Sequence, residues 1–228
     1  ETHVQTITRV DTMGPEFTSA PEDITVECDA VPAVTALEDL LDSGELAATD
    51  NCAATDEPVE YSYDGESINA TDCGSQYEIL RTWTATDCSG NATSYTQVIT
   101  VEDTTAPVFV EALPADETVE CDAVPAAVTL TATDNCDAAV EVMFDESIAD
   151  GVCPQAYMIT RTWTVSDCTG NISEHVQTIE VQDTTAPVFT EVPMDQTNQC
   201  EEQPYTSAAT ANCGAVTITE SREVISED

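Results

Sequence analysis

The chain repeats itself. RTWTATDCSGN at 81–91 returns as RTWTVSDCTGN at 161–171, and VEDTTAPVF at 101–109 returns as VQDTTAPVF at 181–189, both at an offset of 80 residues. Upstream, TVECDAVPA recurs at 25–33 and 118–126, and ATDNC recurs at 48–52 and 132–136, with a variant ATANC at 209–213. A fixed period of this length means one supersecondary unit used several times, each copy closing a modest core of its own. The copies divide the chain into four parts. Residues 1–13 are the last strand of a preceding repeat, 14–105 and 106–185 are two repeats, and 186–228 open a third that lacks an RTWT segment. A longer parent chain, carrying any export signal or anchor, is expected on both sides. The first copy is longer by an acidic insertion, ALEDLLDSGEL at 36–46, which reads as a short helix or a surface loop.

Inside a copy the hydrophobic period is two. Val128, Leu130 and Ala132 alternate with threonines, and Val140, Val142 and Phe144, then Tyr157, Ile159, Trp163 and Val165, then Ile179 and Val181, continue the pattern. Such alternation marks strands with one face in a core and the other in water. Proline, glycine, aspartate and asparagine punctuate every segment, so the expected fold class is all-β, a tandem of immunoglobulin-like sandwiches in an extended rod. Trp83 and Trp163 read as core anchors. Arg81 and Arg161, two residues earlier on the same face, read as partners of sandwich-edge carboxylates or as cations lying over the indoles.

The charge excludes whole classes of function. There are 45 acidic residues against four arginines and no lysine, for a net charge of −41, so nucleic acid is no partner. Self-repulsion of that size favours a medium rich in salt or divalent ions. No stretch approaches the ~18 apolar residues of a membrane span. Catalysis has no carrier either: the sequence holds no Ser-His-Asp set, no phosphate-binding loop and no HExxH, and His3 and His175 occupy equivalent strand positions.

Ten cysteines in a threonine-rich chain indicate an oxidising, extracellular compartment. Zinc is disfavoured, because no CxxC pair occurs and only two histidines are present. With strand direction alternating, Cys121 and Cys153 fall at one end of a copy and Cys136 and Cys168 at the other. The expected bridges are therefore Cys121–Cys153 with Cys136–Cys168, and Cys28–Cys73 with Cys52–Cys88. The rival connectivity joins sequence neighbours, Cys28–Cys52, Cys73–Cys88 and Cys200–Cys213.

The same strand map gathers Asp134, Asn135, Asp167 and Asn171 at the end of the second copy that the linker residue Asp103 enters. Hard oxygen ligands at loop ends are what Ca2+ takes, so this set is a candidate calcium cage. The first copy offers Asp11, Asp50, Asn51, Asp87 and Asn91, while the third retains Asp183 but has Ala211 in place of the loop aspartate. The competing reading is that these Asp and Asn residues cap their own turns.

Together, the DTTAP linker, the TVECDA strand, ATDNC and RTWTxxDCxGN resemble the hyalin-repeat-like immunoglobulin modules of giant surface proteins of Bacteroidota, gliding adhesins among them. The resemblance implies a secreted cell-surface stalk, often exported by the type IX pathway, with ligand binding located elsewhere in the parent. Its partners would be neighbouring repeats, surface glycans or other copies of a filament. The Asp-Thr-Thr and Asp-Thr-Met triplets resemble the O-glycosylation signal of the same group, which would place sugars on Thr12, Thr104 and Thr184. Sequons at Asn69, Asn91 and Asn171 matter only in a host that performs N-glycosylation. Two alternatives to a stalk stand: a direct glycan- or protein-binding module, for which Tyr61 and Tyr63 are the only hint, and an accessory module of a secreted enzyme.

Overall fold

The computed structural model describes residues 3–52, 58–151, 155–193 and 206–219. Among the described residues the fold is all-β apart from one short helix and one 3-10 turn. Strands β1 (Glu16–Ser19), β2 (Ile24–Glu27), β3 (Ala47–Thr49), β4 (Glu60–Ala70), β5 (Tyr77–Thr86) and β6 (Ala92–Glu102) come from the first copy. The second copy gives β7 (Val108–Phe109), β8 (Glu117–Glu120), β9 (Ala132–Thr133), β10 (Val142–Asp150), β11 (Tyr157–Ser166) and β12 (Ile172–Gln182). Two further strands, β13 (Val188–Glu191) and β14 (Ala208–Thr210), belong to the third.

Each full copy builds one four-stranded sheet and one two-stranded ribbon. The sheets run β2-β6-β5-β4 and β10-β11-β12-β8, and the ribbons pair β1 with β3, β7 with β9 and β13 with β14. The strands β4, β5 and β6 are antiparallel, but β2 joins β6 in parallel, Ile24 opposite Ile99, and β8 joins β12 in the same way.

The period of two becomes burial directly. Along β5, Ile79, Arg81, Trp83 and Ala85 point inward, and along β11 Ile159, Arg161, Trp163 and Val165 do the same. Ile99 and Val101 from β6 meet Ile79 to form one cluster, and Ile179 and Val181 from β12 meet Ile159 to form its counterpart. The two arginines are 6% and 5% exposed, and burying a guanidinium requires partners. Arg81 Nε donates to Glu66 at 2.7 Å and its Nη2 to the Pro32 carbonyl at 2.6 Å; Arg161 repeats this with Glu146 and Pro125, both at 2.8 Å. Those contacts tie the extended segment after β2, or after β8, to the far side of the sheet.

The insertion folds as a helix, α1 (Leu37–Ser43), ended by Gly44 in the left-handed conformation at φ 75°. Leu40 from α1 and Leu46 just beyond it are almost fully buried against Trp83. In the second copy the indole Nε1 of Trp163 donates to the Val128 carbonyl at 3.2 Å. Trp83 Nε1 finds no acceptor among the described residues.

By its contacts the chain divides into two compact units. One comprises Glu1–Val108 with the loops Thr133–Val140 and Ser166–Ile172, and the other comprises Phe109–Ala132, Glu141–Val165 and Ser173–Asp228. Two loops of the second sequence copy thus belong to the unit built by the first. Disulfides fix them there: Cys28 is bonded to Cys136, and Cys73 to Cys168, with Cα atoms 5.8 and 5.6 Å apart. In the other unit Cys121 is bonded to Cys213.

These pairs correct the expected connectivity. Cys28–Cys73 and Cys136–Cys168 are not formed, and Cys52 carries an exposed thiol, so Cys52–Cys88 is not formed either. Cys153 and Cys200 lie outside the described residues, but Cys121 and Cys213 are each other's partners, which overturns both Cys121–Cys153 and Cys200–Cys213. The physical reason is sheet order. Cys28 follows β2 and Cys73 precedes β5, at the same end of the sheet, but β6 lies between these strands. Two strand spacings are about 9–10 Å, too far for a bridge that needs Cα atoms within about 7 Å. Each cysteine instead takes a partner from a loop of the following copy.

Trp163 is 1% exposed and central to its sheet. Trp163→Ala is expected to cost about 3–5 kcal/mol, seen as a lower urea midpoint without a change in slope.

Candidate metal centre

Beyond β6 the chain leaves the first sheet through Asp103, and the two disulfide-held loops arrive at the same place. Each loop is a turn organised by its own aspartate. Asp134 Oδ1 accepts the N–H groups of Cys136 and Asp137 at 2.8 and 2.9 Å. Asp167 Oδ1 accepts those of Gly170 and Asn171 at 2.6 and 2.8 Å, with Gly170 at φ 95° supplying the left-handed residue the turn requires. Asn171 closes the arrangement, its Nδ2 donating to Asp167 Oδ2 at 2.7 Å and to the Asp103 carbonyl at 3.0 Å.

The outcome is three carboxylates in one spot. One oxygen each from Asp103, Asp134 and Asp167 lie within 4.8 Å of one another. Asp103 is 5% and Asp167 7% exposed. Oδ2 of Asp103 and Oδ2 of Asp134 are fully buried and have no hydrogen-bond partner among the described residues. Buried carboxylates that repel one another and leave oxygens unpaired are unfavourable unless a cation joins them. Burial, and after it the charges of Asp134, Asp167 and Asp137, push the Asp103 carboxyl above its ordinary value against the opposing Thr105 N–H. Asp167 moves the other way. Burial is the largest single influence and raises it, but the combined hydrogen bonds from Asn171, Thr169 and Gly170 outweigh it and hold the carboxyl below its usual range. The donor set is all oxygen, which fits a hard divalent cation such as Ca2+, with Asp103, Asp134 and Asp167 as its protein ligands.

The other predicted ligands are distributed differently. Asn171 serves this site through its Nδ2, a donor that positions Asp103 and Asp167. Asn135 is exposed and turned to the Cys136 sulfur. In the first copy Asp11 and Asp50 come together with Cys52, and Asp50 Oδ2 is again buried without a partner. Asp87 is held in its own turn, Oδ1 accepting from Ser89 and Asn91 and Oδ2 from the Asn91 side chain, all at 2.8 Å, and those bonds, led by Asn91, lower its pKa. Asn51 turns to the Met13 sulfur. Asp183 accepts from the Thr185 N–H at 3.2 Å and neighbours Cys121 and Cys213, whose sulfurs are already joined.

Two participants were not among the predicted site residues. Asp137 Oδ2 accepts the Cys168 N–H at 2.7 Å, tying the two loops together. Glu27, at the end of β2, accepts from both the N–H and hydroxyl of Thr104, and Glu120 does the same for Thr184. Thr12, Thr104 and Thr184 are all exposed. The recurrence of Glu before Cys in both TVEC strands was the available clue to Glu27.

Residues 109–181 match a family model described as an HYR-like domain with four cysteines. No curated protein is similar to the chain in sequence. Among solved structures, the extracellular domain of protocadherin gamma B4 is similar at 19% identity and a TM-score of 0.33, over 78% of this chain and 33% of that one. Human CDH23 EC21–23 is similar at 14% identity and a TM-score of 0.32, over 86% and 79%. Drosophila N-cadherin EC1–3 is similar at 15% identity and a TM-score of 0.26, over 75% and 68%. This chain spans about a third of the protocadherin.

The lowered pKa of Asp167 sets a sign. A carboxyl whose folded pKa lies below its unfolded one stabilises the fold above the unfolded value, near 3.8, and loses that contribution as pH falls through the folded value. Asn171→Ala removes the leading hydrogen bond. Its destabilisation, read from urea unfolding, is expected to be clear at pH 7 and much smaller at about pH 2.5.

Proposed function

We propose that the chain is part of an extracellular structural stalk: HYR-like repeats, stapled by disulfides and rigidified by calcium, that carry an adhesive region of a longer surface protein. The observation that carries this reading is the buried Asp103 carboxylate. It sits with Asp134 and Asp167 where the end of one copy meets disulfide-bonded loops of the next, and two of its cluster's oxygens have no partner. A cation there supplies positive charge to three carboxylates and fixes the linker against both loops. Asp11 and Asp50 offer an equivalent pair at the first copy. With a net charge of −41, every bound divalent ion also relieves repulsion across the chain. Export by the type IX pathway, sugars on the exposed Thr12, Thr104 and Thr184, and lateral association into a filament belong to the same reading.

The structural role is favoured over direct glycan or protein binding by the two tyrosines that hinted at the latter. The Tyr61 hydroxyl accepts the Ala48 N–H at 2.7 Å, and the Tyr63 ring packs on Trp83 with centroids 5.6 Å apart. Both rings build the longer first copy, and neither forms a platform for a ligand. No helix among the described residues is long and apolar enough to cross a membrane.

A ligand that binds only the folded state raises its stability. With a weak extracellular-type affinity of about 10⁻⁴–10⁻³ M, calcium near 10 mM should contribute about 1.4–2.7 kcal/mol. The melting temperature is expected to rise by several degrees in calcium and not in magnesium, and the Asp134→Ala, Asp167→Ala double variant should lose the response. Asp103→Asn gives a sharper sign: it should raise the melting temperature in chelator, where it removes a buried repulsive charge, and abolish the gain from calcium. Coincident wild-type curves with and without calcium would refute the proposal.

A further inference from the structure

The three carboxylates come from separated stretches of chain, and each is linked to a bridged cysteine. Asp134 holds the N–H of Cys136 within its own turn, and Asp167 precedes Cys168. Asp137 holds the N–H of Cys168, so the two bridged turns are also joined to each other. On the sheet side Cys28 follows Glu27, whose carboxylate holds Thr104, the neighbour of Asp103. Without the bridges, the loops must be drawn onto the sheet end against mutual carboxylate repulsion and the entropy of long loops. With them, the ligands are held at high effective concentration. Asp103 is only 5% exposed and its Oδ2 has no hydrogen-bond partner among the described residues, so the assembled state leaves a buried negative charge that a cation would compensate.

The molecule contains its own control. The Cys121–Cys213 bridge repeats the Cys28–Cys136 pairing, Glu120 holds Thr184 as Glu27 holds Thr104, and Asp183 stands in the place of Asp103. In the ATANC loop, however, Ala211 stands where Asp134 stands in ATDNC. That bridge closes without the carboxylate cluster.

We propose that cation binding and disulfide closure are one coupled equilibrium here: the Cys28–Cys136 and Cys73–Cys168 bridges assemble the Asp103, Asp134 and Asp167 site for a hard divalent cation, and the bound cation protects those two bridges, but not Cys121–Cys213, from reduction. The inference rests on the calcium reading above. Reciprocity is required by linkage: whatever factor the bridges add to calcium affinity, calcium adds to the stability of the bridges.

The test uses the oxidised 1–228 chain equilibrated over a series of dithiothreitol concentrations, in calcium or in chelator. Each bridge takes two electrons and two protons from dithiothreitol, giving two thiols and the cyclic disulfide of the reductant. Thiols are trapped by alkylation and each cysteine is quantified by mass spectrometry, while equilibrium dialysis measures calcium binding directly. Calcium is expected to increase the dithiothreitol needed to half-reduce Cys28–Cys136 by about tenfold or more, and to leave Cys121–Cys213 within about twofold. Asp134→Ala should keep the bridge and lose its protection, and Cys28→Ser, Cys136→Ser should bind calcium about tenfold more weakly. Equal protection of all three bridges would overturn the proposal by showing general stabilisation. Calcium bound with no bridge protected would overturn the coupling and leave the calcium site standing, whereas no calcium bound by the oxidised chain would overturn both.

Discussion

The arrangement depends on two disulfides that carry loops of one sequence copy onto the sheet end of another. Cys28–Cys136 and Cys73–Cys168 span sequence separations of 108 and 95 residues. Cross-links over loops near 100 residues remove about 4–5 kcal/mol worth of unfolded-state entropy each, a large share of the stability of a small domain. Among the described residues the buried aliphatic clusters are small, Ile79, Ile99 and Val101 in one, Ile159, Ile179 and Val181 in another, and Leu40 and Leu46 packed on Trp83 in a third, so the core has little else to spare. The bridges also explain how Asp103 and Asp167 remain buried. Three carboxylates do not gather by themselves, and here the covalent links and the Asn171 side chain hold them together.

Much of the fold was legible in the sequence because side-chain alternation maps onto a sheet without knowledge of its neighbours. The inward row Ile159, Arg161, Trp163 and Val165 follows from period two alone; of the two readings of the arginines, carboxylate partners or cations over the indoles, the structure forms ion pairs, with Glu66 and Glu146 on the next strand. The sorting of cysteines to opposite ends of a copy also follows from strand direction. Their partners do not. Sequence spacing cannot reveal that β6 separates β2 from β5, and a repeated chain offers the same cysteine types within a copy and in the next one.

The candidate site was legible to the same depth. Asp103, Asp134 and Asp167 are the linker and loop aspartates that the repeated motifs point to, and they do converge. Asn135, Asn51 and Asp87 share those motifs, yet their side chains are turned to a sulfur or engaged by their own turn, a matter of local rotamer and register that motif matching does not resolve. Asp137 and Glu27 carry connecting roles fixed only once the loops have docked. Turn formation and cation binding are not exclusive at Asp103 and Asp134, because in each Oδ1 holds a nearby backbone N–H while Oδ2 has no partner among the described residues.

Peptide mapping of the unreduced, oxidised chain by mass spectrometry tests the central claim most directly. The account predicts peptides linking Cys28 to Cys136 and Cys73 to Cys168. Recovery of Cys28 linked to Cys73, or Cys136 linked to Cys168, would contradict it, because the loops would then have no covalent hold on the sheet end and the carboxylate cluster would lose its frame.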